Sequence, residues 1–315
     1  MTAPRTNATF ASFATTWGPA VERALLALLP NVDAAPAALH AAMHYALFPG
    51  GKRLRPLLVL LGCRAVGGDP ERALPAAAAL ECLHTYSLVH DDLPCMDDDA
   101  LRRGRPTCHV AHGEALALLA GDALLTLAFE GVATAGAAAT IELARAAGSL
   151  GMVGGQVEDL AAEADHRRSL ERVQWIHDHK TGALITASIL VGAHASVHGA
   201  PTALPAPLLA MLRDYGDRLG RAFQIADDCL DLTGTAAELG KNPLADVALG
   251  KLTWPAMVGL DESLATARRL AQQAADGAAE IVAAASRWRG VPVAALDDVA
   301  ALLQDVAFFA VERRR

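Results

Sequence analysis

Apolar residues recur along most of the chain at the three- and four-residue spacing of amphipathic helices, and glycine and proline separate the periodic segments. The spacing predicts about ten helices, at approximately 12–29, 36–48, 56–66, 71–93, 110–134, 138–161, 169–198, 206–232, 253–289 and 293–311. No segment shows the convincing alternation of a strand. We therefore expect an all-α protein.

The composition agrees with this prediction. Of the 315 residues, 53% are hydrophobic but only 4% are aromatic. The apolar residues are mostly alanine and leucine, which favour helices, whereas the β-branched and aromatic residues that favour strands are scarce. The length would permit two domains, but no low-complexity linker divides the chain. A single domain over residues 1–315 is the simpler prediction.

Charge and cysteine content exclude several classes of protein. The net charge is −8 and basic runs are absent, so we expect no nucleic-acid partner. The segment 181–212 carries no Asp, Glu, Lys or Arg, but histidines and prolines interrupt it, which favours a buried helix and a turn over a membrane span. No apolar leader begins the sequence, and five cysteines are widely spaced without a CxxC pair. These features predict reduced thiols and a cytoplasmic protein.

Acidic residues are concentrated in the stretch "HDDLPCMDDDALRRGRP". Asp91 and Asp92 lie at the predicted end of a helix, where the partial negative charge of the helix terminus disfavours carboxylates. Pro94 prevents that helix from continuing regularly and supplies a kink that can bring Asp97 back towards them. We call Asp91, Asp92 and Asp97 the first acidic cluster.

A second acidic cluster, Asp227, Asp228 and Asp231, forms "DDCLD" shortly before a predicted helix stop. Asp227 and Asp231 are about 40° apart on one helix face, so their carboxylates can reach the same ion. Clustered carboxylates without His or Cys at ligand spacing favour Mg²⁺, which binds through a few carboxylates, waters and substrate phosphates. The alternative is that both clusters are solvated helix ends, but both adjoin apolar segments that we expect to be buried.

Basic residues offer sites for the phosphates of such a substrate. The motif "GGKRLRP" places Gly50 and Gly51 beside Lys52 and Arg55 near a predicted helix N-terminus, a combination that suits an anion. Arg102 and Arg103 follow the first acidic cluster. They either hold the same anion from the other side or simply neutralise the neighbouring acids. Three further cations are available: Lys180, Lys241 and Lys251.

With these motifs assembled, the sequence resembles the trans-prenyltransferases, or isoprenyl diphosphate synthases, and most closely their bacterial farnesyl diphosphate synthases. The similarity rests on "GGKRLRP", "ECLHTYSLVHDDLPCMDDDALRRGRPTCH", "GEALALLAGDALL", "GMVGGQVEDL", "HKTGALI", "FQIADDCLD", "LGK" and "LGKLTWP", in that order. It implies a helical bundle around a central cavity, usually homodimeric, with both acidic clusters facing each other across the cavity mouth. All six aspartates of the two clusters would bind Mg²⁺, about three ions with substrate, and Mn²⁺ could substitute.

The resemblance also implies roles for the other candidates. The allylic diphosphate would contact Arg102, Lys180 and Lys241. Isopentenyl diphosphate would be held by Gly51, Lys52, Arg55, His84 and Arg103. Thr181 and Gln224 would point oxygens at the developing cation, and Lys251 would help to close the site. The central catalytic residues would be Asp91, Lys180, Thr181, Gln224 and Asp227.

The implied reaction joins isopentenyl diphosphate head-to-tail to dimethylallyl and then geranyl diphosphate. Released pyrophosphate would remove the final proton, in keeping with the lack of an obvious catalytic triad. Tyr86 and Ser87, five and four residues before Asp91, would set product length at the cavity floor. An aromatic at the first position, together with the insertion that contains Pro94, predicts farnesyl diphosphate; geranylgeranyl and geranyl diphosphate are the alternatives.

Other readings of the sequence are weaker. Two E-x-x-H pairs, Glu81/His84 and Glu163/His166, have the spacing of ferritin-like di-iron bundles but leave the six aspartates unexplained. A catalytically silent subunit of a two-chain synthase is disfavoured because every acid of both clusters is present. Cys108, His109 and His112 could be drawn as a zinc site, although ordinary helix-start polarity explains them better. Asp122 lies in an apolar run, where we expect a buried, hydrogen-bonded carboxylate, and the sequence supplies no partner for it.

Overall fold

The computed structural model describes residues 9–48, 51–165, 167–234 and 251–312, and these residues form an all-α fold, as predicted. The first half contains α1 Phe10–Leu28, α2 Ala37–Leu47, α3 Leu54–Ala65, α4 Leu74–Asp91, α5 Cys108–His112, α6 Glu114–Ala133 and α7 Ala137–Ala147. The second half contains α8 Met152–Ala164, α9 Leu170–Ile176, α10 Ala183–Ala195, α11 Ala206–Thr233, α12 Trp254–Val258, α13 Leu260–Arg289 and α14 Asp297–Glu312. Short 3₁₀ turns, Pro70–Ala73 and Val293–Leu296, precede α4 and α14. The single-domain organisation stays a prediction.

Several predicted helices are each divided into two, and glycine marks most of the breaks. Gly113, with φ 89°, separates α5 from α6 inside the predicted segment 110–134. Gly259, with φ 84°, separates α12 from α13 in the same way. Glycine adopts positive φ without the steric cost that other residues meet. The apolar periodicity continues across these breaks, so periodicity alone could not reveal them.

Helices α4 and α10 form the centre of the bundle and are buried on nearly every side. Small residues let α10 pack against α3 at backbone distance. A Cβ atom added at Gly62 would lie 2.1 Å from the carbonyl oxygen of Ile189, and one added at Gly192 would lie 1.8 Å from that of Val59. The charge-free segment 181–212 therefore does contain a buried helix. By length and composition, α6 could cross a membrane, and 44% of its most apolar window is buried.

A short β-hairpin follows the first acidic cluster, although we predicted no strand. Leu101–Arg102 pairs antiparallel with Arg105–Pro106. The two loop residues, Arg103 and Gly104, have φ values of 54° and 73°, which is the backbone of a type I′ turn. Two-residue strands leave almost no alternation in a sequence, so only the Arg-Gly pair signalled this turn.

The predicted helix 169–198 is interrupted by a turn of π-helix. The π segment, His177–Gly182, lies between α9 and α10 and carries Lys180. π turns inside α-helices are frequent at functional sites. Neighbouring helices approach this segment closely through glycines. A Cβ atom at Gly155 of α8 would lie 2.2 Å from the backbone nitrogen of Lys180, and one at Gly220 of α11 would lie 2.7 Å from the Cα of Gly182.

Candidate active site

The chain turns back on itself directly after α4 and brings two members of the first acidic cluster together. The backbone N–H of Asp97 donates to the carbonyl oxygen of Asp91 across 2.9 Å, and that of Asp98 donates to Leu93 across 3.2 Å. Pro94 lies at the start of this turn. The kink expected from the sequence is therefore present, and Asp97 returns to the helix end.

Asp92 faces away from this pair. Its buried carboxylate accepts two hydrogen bonds from Nε of Arg102, at 2.7 and 3.0 Å. A second nitrogen of Arg102 lies 3.7 Å from Asp99. Arg102 thus neutralises part of the acidic stretch, as one reading of the sequence allowed, and holds the hairpin against α4.

Burial raises the pKa of Asp91 to about 6. This value of the pKa includes a smaller lowering effect of the charge of Lys180 and a raising effect of the charge of Asp97. Removing a carboxylate from water disfavours its ionised form, and a like charge adds to that penalty. A cation placed at this pair would offset both penalties.

The second acidic cluster occupies the last turns of α11. Asp227 lines a pocket of about 190 Å³ together with Lys180 and Lys251. Asp231 is buried. Asp228 is also buried, and its oxygens accept hydrogen bonds from the Gln224 amide, at 3.1 Å, and from the backbone N–H of Trp254, at 2.8 Å.

His177 adds a third contact to Asp228, with its Nε2 atom 3.1 Å from the carboxylate. Asp228 therefore joins three parts of the fold: α11, the π segment and the start of α12. Any metal ion that bound Asp228 would share an oxygen already used by a protein donor.

Two lysines lie between the acidic clusters. Lys180 borders both the pocket that contains Asp227 and the larger cavity that contains Asp91. Its Nζ atom lies 2.6 Å from Asp159 on α8. Lys251 lines the same pocket as Asp227. Its Nζ atom lies 3.3 Å from both oxygens of Asp97. The two clusters consequently border one cationic region.

Thr181 and Gln224 are joined directly, as residues of one site would be. The Thr181 hydroxyl donates to Oε1 of Gln224 across 2.7 Å, and the Gln224 amide in turn donates to Asp228. This chain fixes the orientation of both side chains. Both side chains line the smaller pocket together with Lys180, and Thr181 also lines the larger cavity.

The residues expected to hold isopentenyl diphosphate surround His84. Burial lowers the pKa of His84, and the positive charges of Arg55 and Arg103 lower it further. Gly51 lies directly beneath Arg103, because a Cβ atom at position 51 would lie 2.6 Å from that guanidinium. Lys52 is exposed next to Gly51. The positive charges of the arginines around this neutral imidazole would stabilise a bound anion.

Arg53, between these residues in sequence, has a different task that the sequence analysis missed. Its backbone is left-handed, with φ 52°, and its buried guanidinium makes ion pairs of 2.7 Å with Glu22 and Glu81. It also donates to the carbonyl oxygen of Leu47 across 2.9 Å. The motif contains three basic residues, and nothing in its spacing showed which of them points inward.

A central cavity of about 450 Å³ extends beneath the acids and lysines. Part of its wall is polar and includes Asp91, Lys180 and Thr181. The rest is formed mainly by apolar and aromatic side chains: Tyr86, Leu88, Leu93, Leu118, Met152, Val157, Leu160 and Leu184. Tyr86 is only 6% exposed, and Ser87 lines the same wall. This arrangement suits a molecule with a charged head and a hydrocarbon tail.

The structure also bears on Asp122 and on the proposed zinc ligands. Asp122 is not buried: its side chain is 59% exposed, and His90 lies 3.9 Å away. The prediction of a buried carboxylate was wrong because the apolar helix α6 exposes one face.

Cys108, His109 and His112 all lie on α5. Among the residues that the structure describes, no three His, Cys, Asp or Glu side chains converge as a ready-made metal cage.

The ferritin-like arrangement is disfavoured because Glu81 is occupied by Arg53. His166, Gly50 and Lys241 lie outside the described residues. The five cysteines are free thiols, and four of them are buried.

The chain matches the family model "Polyprenyl synthetase" over residues 36–286. It is 45% identical over 270 residues to the putative geranylgeranyl pyrophosphate synthase 8, chloroplastic, of Arabidopsis thaliana, covering 80% of this chain and 73% of that protein. It is 42% identical over 263 residues to the chloroplastic geranylgeranyl pyrophosphate synthase of Capsicum annuum, covering 81% and 68%.

Solved structures are similar over nearly the whole chain. An FPP/GFPP synthase from Zymomonas mobilis has a TM-score of 0.76 and 33% identity, covering 96% of this chain and 98% of its own. A geranyltransferase from Helicobacter pylori, complexed with magnesium and isoprenyl diphosphate, has a TM-score of 0.77 and 30% identity, covering 95% and 98%. The chain therefore belongs to the polyprenyl synthetase family. Within isoprenoid synthesis it is a trans-prenyltransferase.

Proposed function

We propose that this prenyltransferase joins isopentenyl diphosphate to an allylic diphosphate, with dimethylallyl and then geranyl diphosphate as starters. The observation that carries the proposal is the central cavity, whose wall combines Asp91, Lys180 and Thr181 with many apolar side chains. A diphosphate held by the charged residues would place its hydrocarbon tail against the apolar wall. Such a wall would keep water away from a carbocation and so protect it from hydrolysis.

The donor set fits Mg²⁺. Oxygen ligands from a few carboxylates, completed by substrate phosphates, are what this ion prefers, and a full protein cage is unnecessary. We propose that the aspartates of both acidic clusters would be its ligands. Asp92, Asp97 and Asp228 would share oxygens with the protein donors that contact them. Bound Mg²⁺ would stabilise the negative charge that develops on the leaving diphosphate.

The remaining roles follow from charge and position. Lys180, Lys251 and Arg102 border the acidic clusters and would bind the allylic diphosphate. Lys241 is a further candidate for this role. Isopentenyl diphosphate would occupy the arginine-rich region around His84, where Gly51, Lys52, Arg55 and Arg103 lie.

The linked oxygens of Thr181 and Gln224 would face positive charge as the allylic C–O bond ionises. The double bond of isopentenyl diphosphate then attacks the cation, and the released pyrophosphate accepts the final proton. No nucleophilic side chain is needed for these steps.

For the product we propose farnesyl diphosphate, because Tyr86, five residues before Asp91, lines the cavity and its buried ring would limit the space for a longer chain. Geranylgeranyl diphosphate is the second candidate. The names of the sequence relatives favour it, and those relatives are 42–45% identical to this chain. Geranyl diphosphate would require a shorter cavity and is the weakest of the three.

We further propose a homodimer. Helix α6 is apolar, yet Leu119 is 54% exposed, and burying apolar surface of this kind is the usual driving force for association. A cytoplasmic location remains our proposal for this chain, although the named plant relatives are chloroplastic.

The proposal is tested by incubating the protein with labelled isopentenyl diphosphate, each starter and Mg²⁺, followed by chromatography of the dephosphorylated alcohols. We expect condensation products, and their chain length distinguishes the candidates. Asp227→Asn should abolish most product, whereas the matched control Asp214→Asn, at an exposed acid of the same helix, should not. Absence of product with every starter would refute the proposed reaction.

A further inference from the structure

His90 occupies a position between the acidic end of α4 and the cavity wall. Its imidazole lies edge-on to the ring of Tyr86, one helical turn earlier, with 5.5 Å between ring centroids. Its Nε2 atom lies 3.0 Å from the carbonyl oxygen of Leu118 on α6. His90, Tyr86 and Leu118 all line the central cavity. The imidazole is thus part of the wall and also supports the Tyr86 ring.

The space for this imidazole exists because residue 121 is glycine. A Cβ atom added at Gly121 would lie 2.1 Å from Nε2 and 2.4 Å from Cδ2 of His90. Real Cβ atoms do not approach other atoms so closely, so the ring would have to move. Gly121 is buried in α6, with ordinary helical backbone. The backbone conformation at position 121 would therefore permit residues other than glycine. Glycine is needed there because a side chain would clash with His90.

The imidazole contacts α6 on one side and the ring of Tyr86 on another. A side chain at position 121 would press on it from the α6 side. A displacement towards Tyr86 and the cavity would reduce the space available to a growing chain.

From this geometry we propose that Gly121 and His90 form a specificity-determining pair that sets the depth of the cavity and hence the length of the product. The proposal rests on the proposed prenyl-transfer reaction. Gly121 does not touch the product; it acts by allowing His90 to sit back against α6. His90 in turn fixes the position of the Tyr86 ring.

The test compares product chain lengths for the wild type, Gly121→Ala, His90→Ala and the double variant. In Gly121→Ala, the ratio of the longest wild-type product to the product one isoprene unit shorter should fall by at least about tenfold. One methyl group in a closely fitted hydrophobic pocket commonly discriminates by that amount. His90→Ala removes the ring from the wall and should shift the ratio towards longer products.

The double variant distinguishes this mechanism from a non-specific effect of the substitutions on the fold. Without the imidazole, a methyl group at position 121 has space, so Gly121→Ala should cause no further shift in the His90→Ala background. Thr126→Ala is the matched control, since this exposed residue of α6 contacts its own helix and its loss should leave the ratio unchanged. Thermal unfolding of each variant shows whether it is folded.

An unchanged ratio in Gly121→Ala would overturn the proposal, and so would equal shifts in the wild-type and His90→Ala backgrounds. Should Gly121→Ala fail to fold, His90→Ala decides: longer products support the pair, and the wild-type ratio refutes it. Absence of condensation product from the wild-type protein would instead refute the proposed reaction itself.

Discussion

The Nζ atom of Lys180 lies 2.6 Å from Oδ2 of Asp159, which ties the π segment to α8 at the mouth of the cavity. Asp159 is largely buried, with 7% of its surface exposed, and the sequence analysis did not select it. Because the pair is held at the boundary between the two acidic clusters, Asp159 fixes the direction in which Lys180 presents its charge.

We predict that Asp159→Asn lowers kcat by about tenfold or more, since small displacements of a catalytic group carry costs of this order. Steady-state kinetics with geranyl and isopentenyl diphosphates check this. Glu158→Gln is the matched control, because this neighbouring acid pairs with Arg172 away from the cavity. Equal activities of Asp159→Asn and the wild type would show that Lys180 needs no such partner.

Replacing Tyr86 should lengthen the product. Tyr86→Ala removes a buried ring from the cavity wall, so chains longer than those of the wild type should become the main product. Chromatography of the alcohols measures the change. Thr126→Ala, at an exposed residue of α6, is the control and should preserve the wild-type product. An unchanged product in Tyr86→Ala would remove the ring as the floor of the cavity.

The ion pair between Arg53 and Glu81 should be important for stability. Both side chains are buried, 5% and 3% exposed, so Arg53→Ala leaves the Glu81 carboxylate buried without its main partner. We expect a loss of about 3–5 kcal/mol in the free energy of unfolding, measured by urea denaturation. Arg218→Ala breaks an exposed pair within α11 and should cost at most about 1 kcal/mol. Similar losses in the two variants would contradict this view of Arg53.

In metal-free protein, the charge of Asp91 should reduce stability above pH 6. Burial raises the pKa of Asp91 to about 6, above the value of about 3.9 expected in the unfolded chain. The native state therefore binds this proton more tightly, so the contribution of Asp91 to the free energy of unfolding falls as the pH rises from about 4 to about 6.

Asp91→Asn should remove that decline. In EDTA at pH 7.5 the variant should be more stable than the wild type by about 1–2 kcal/mol, a value discounted for the partial exposure of the carboxylate. Below pH 4 the two proteins should be nearly equal. Urea denaturation at both pH values measures the difference. A wild type that is the more stable protein at pH 7.5 without metal would contradict the assignment.

Features that depend on local sequence were predictable. Helical periodicity gave the fold class, and Pro94 indicated the turn that returns Asp97 to Asp91. The quoted motifs also indicated the family, which the comparisons confirm. Each of these depends on residues a few positions apart, where the geometry of helices and turns constrains the outcome.

The features that escaped prediction depend on contacts between distant segments. Arg53 points inward because Glu22 and Glu81 meet it from two other helices. The position of Asp159 in the site depends on its contact with Lys180, which comes 21 positions later in the sequence. The apolar residues continue through the π segment and around α6. The sequence therefore indicated neither the π turn nor the exposed face of α6. Product length belongs to the same group, because the cavity wall is assembled from several helices.

The central claim is that carboxylates of both acidic clusters hold the diphosphate through Mg²⁺. Calorimetric binding of an unreactive allylic diphosphate analogue, in which sulfur replaces the bridging oxygen, tests it most directly. We predict binding that requires Mg²⁺ and weakens at least about tenfold in Asp91→Asn and in Asp227→Asn, which corresponds to about 1.4 kcal/mol. Equally tight binding in EDTA, or in both variants, would contradict the account.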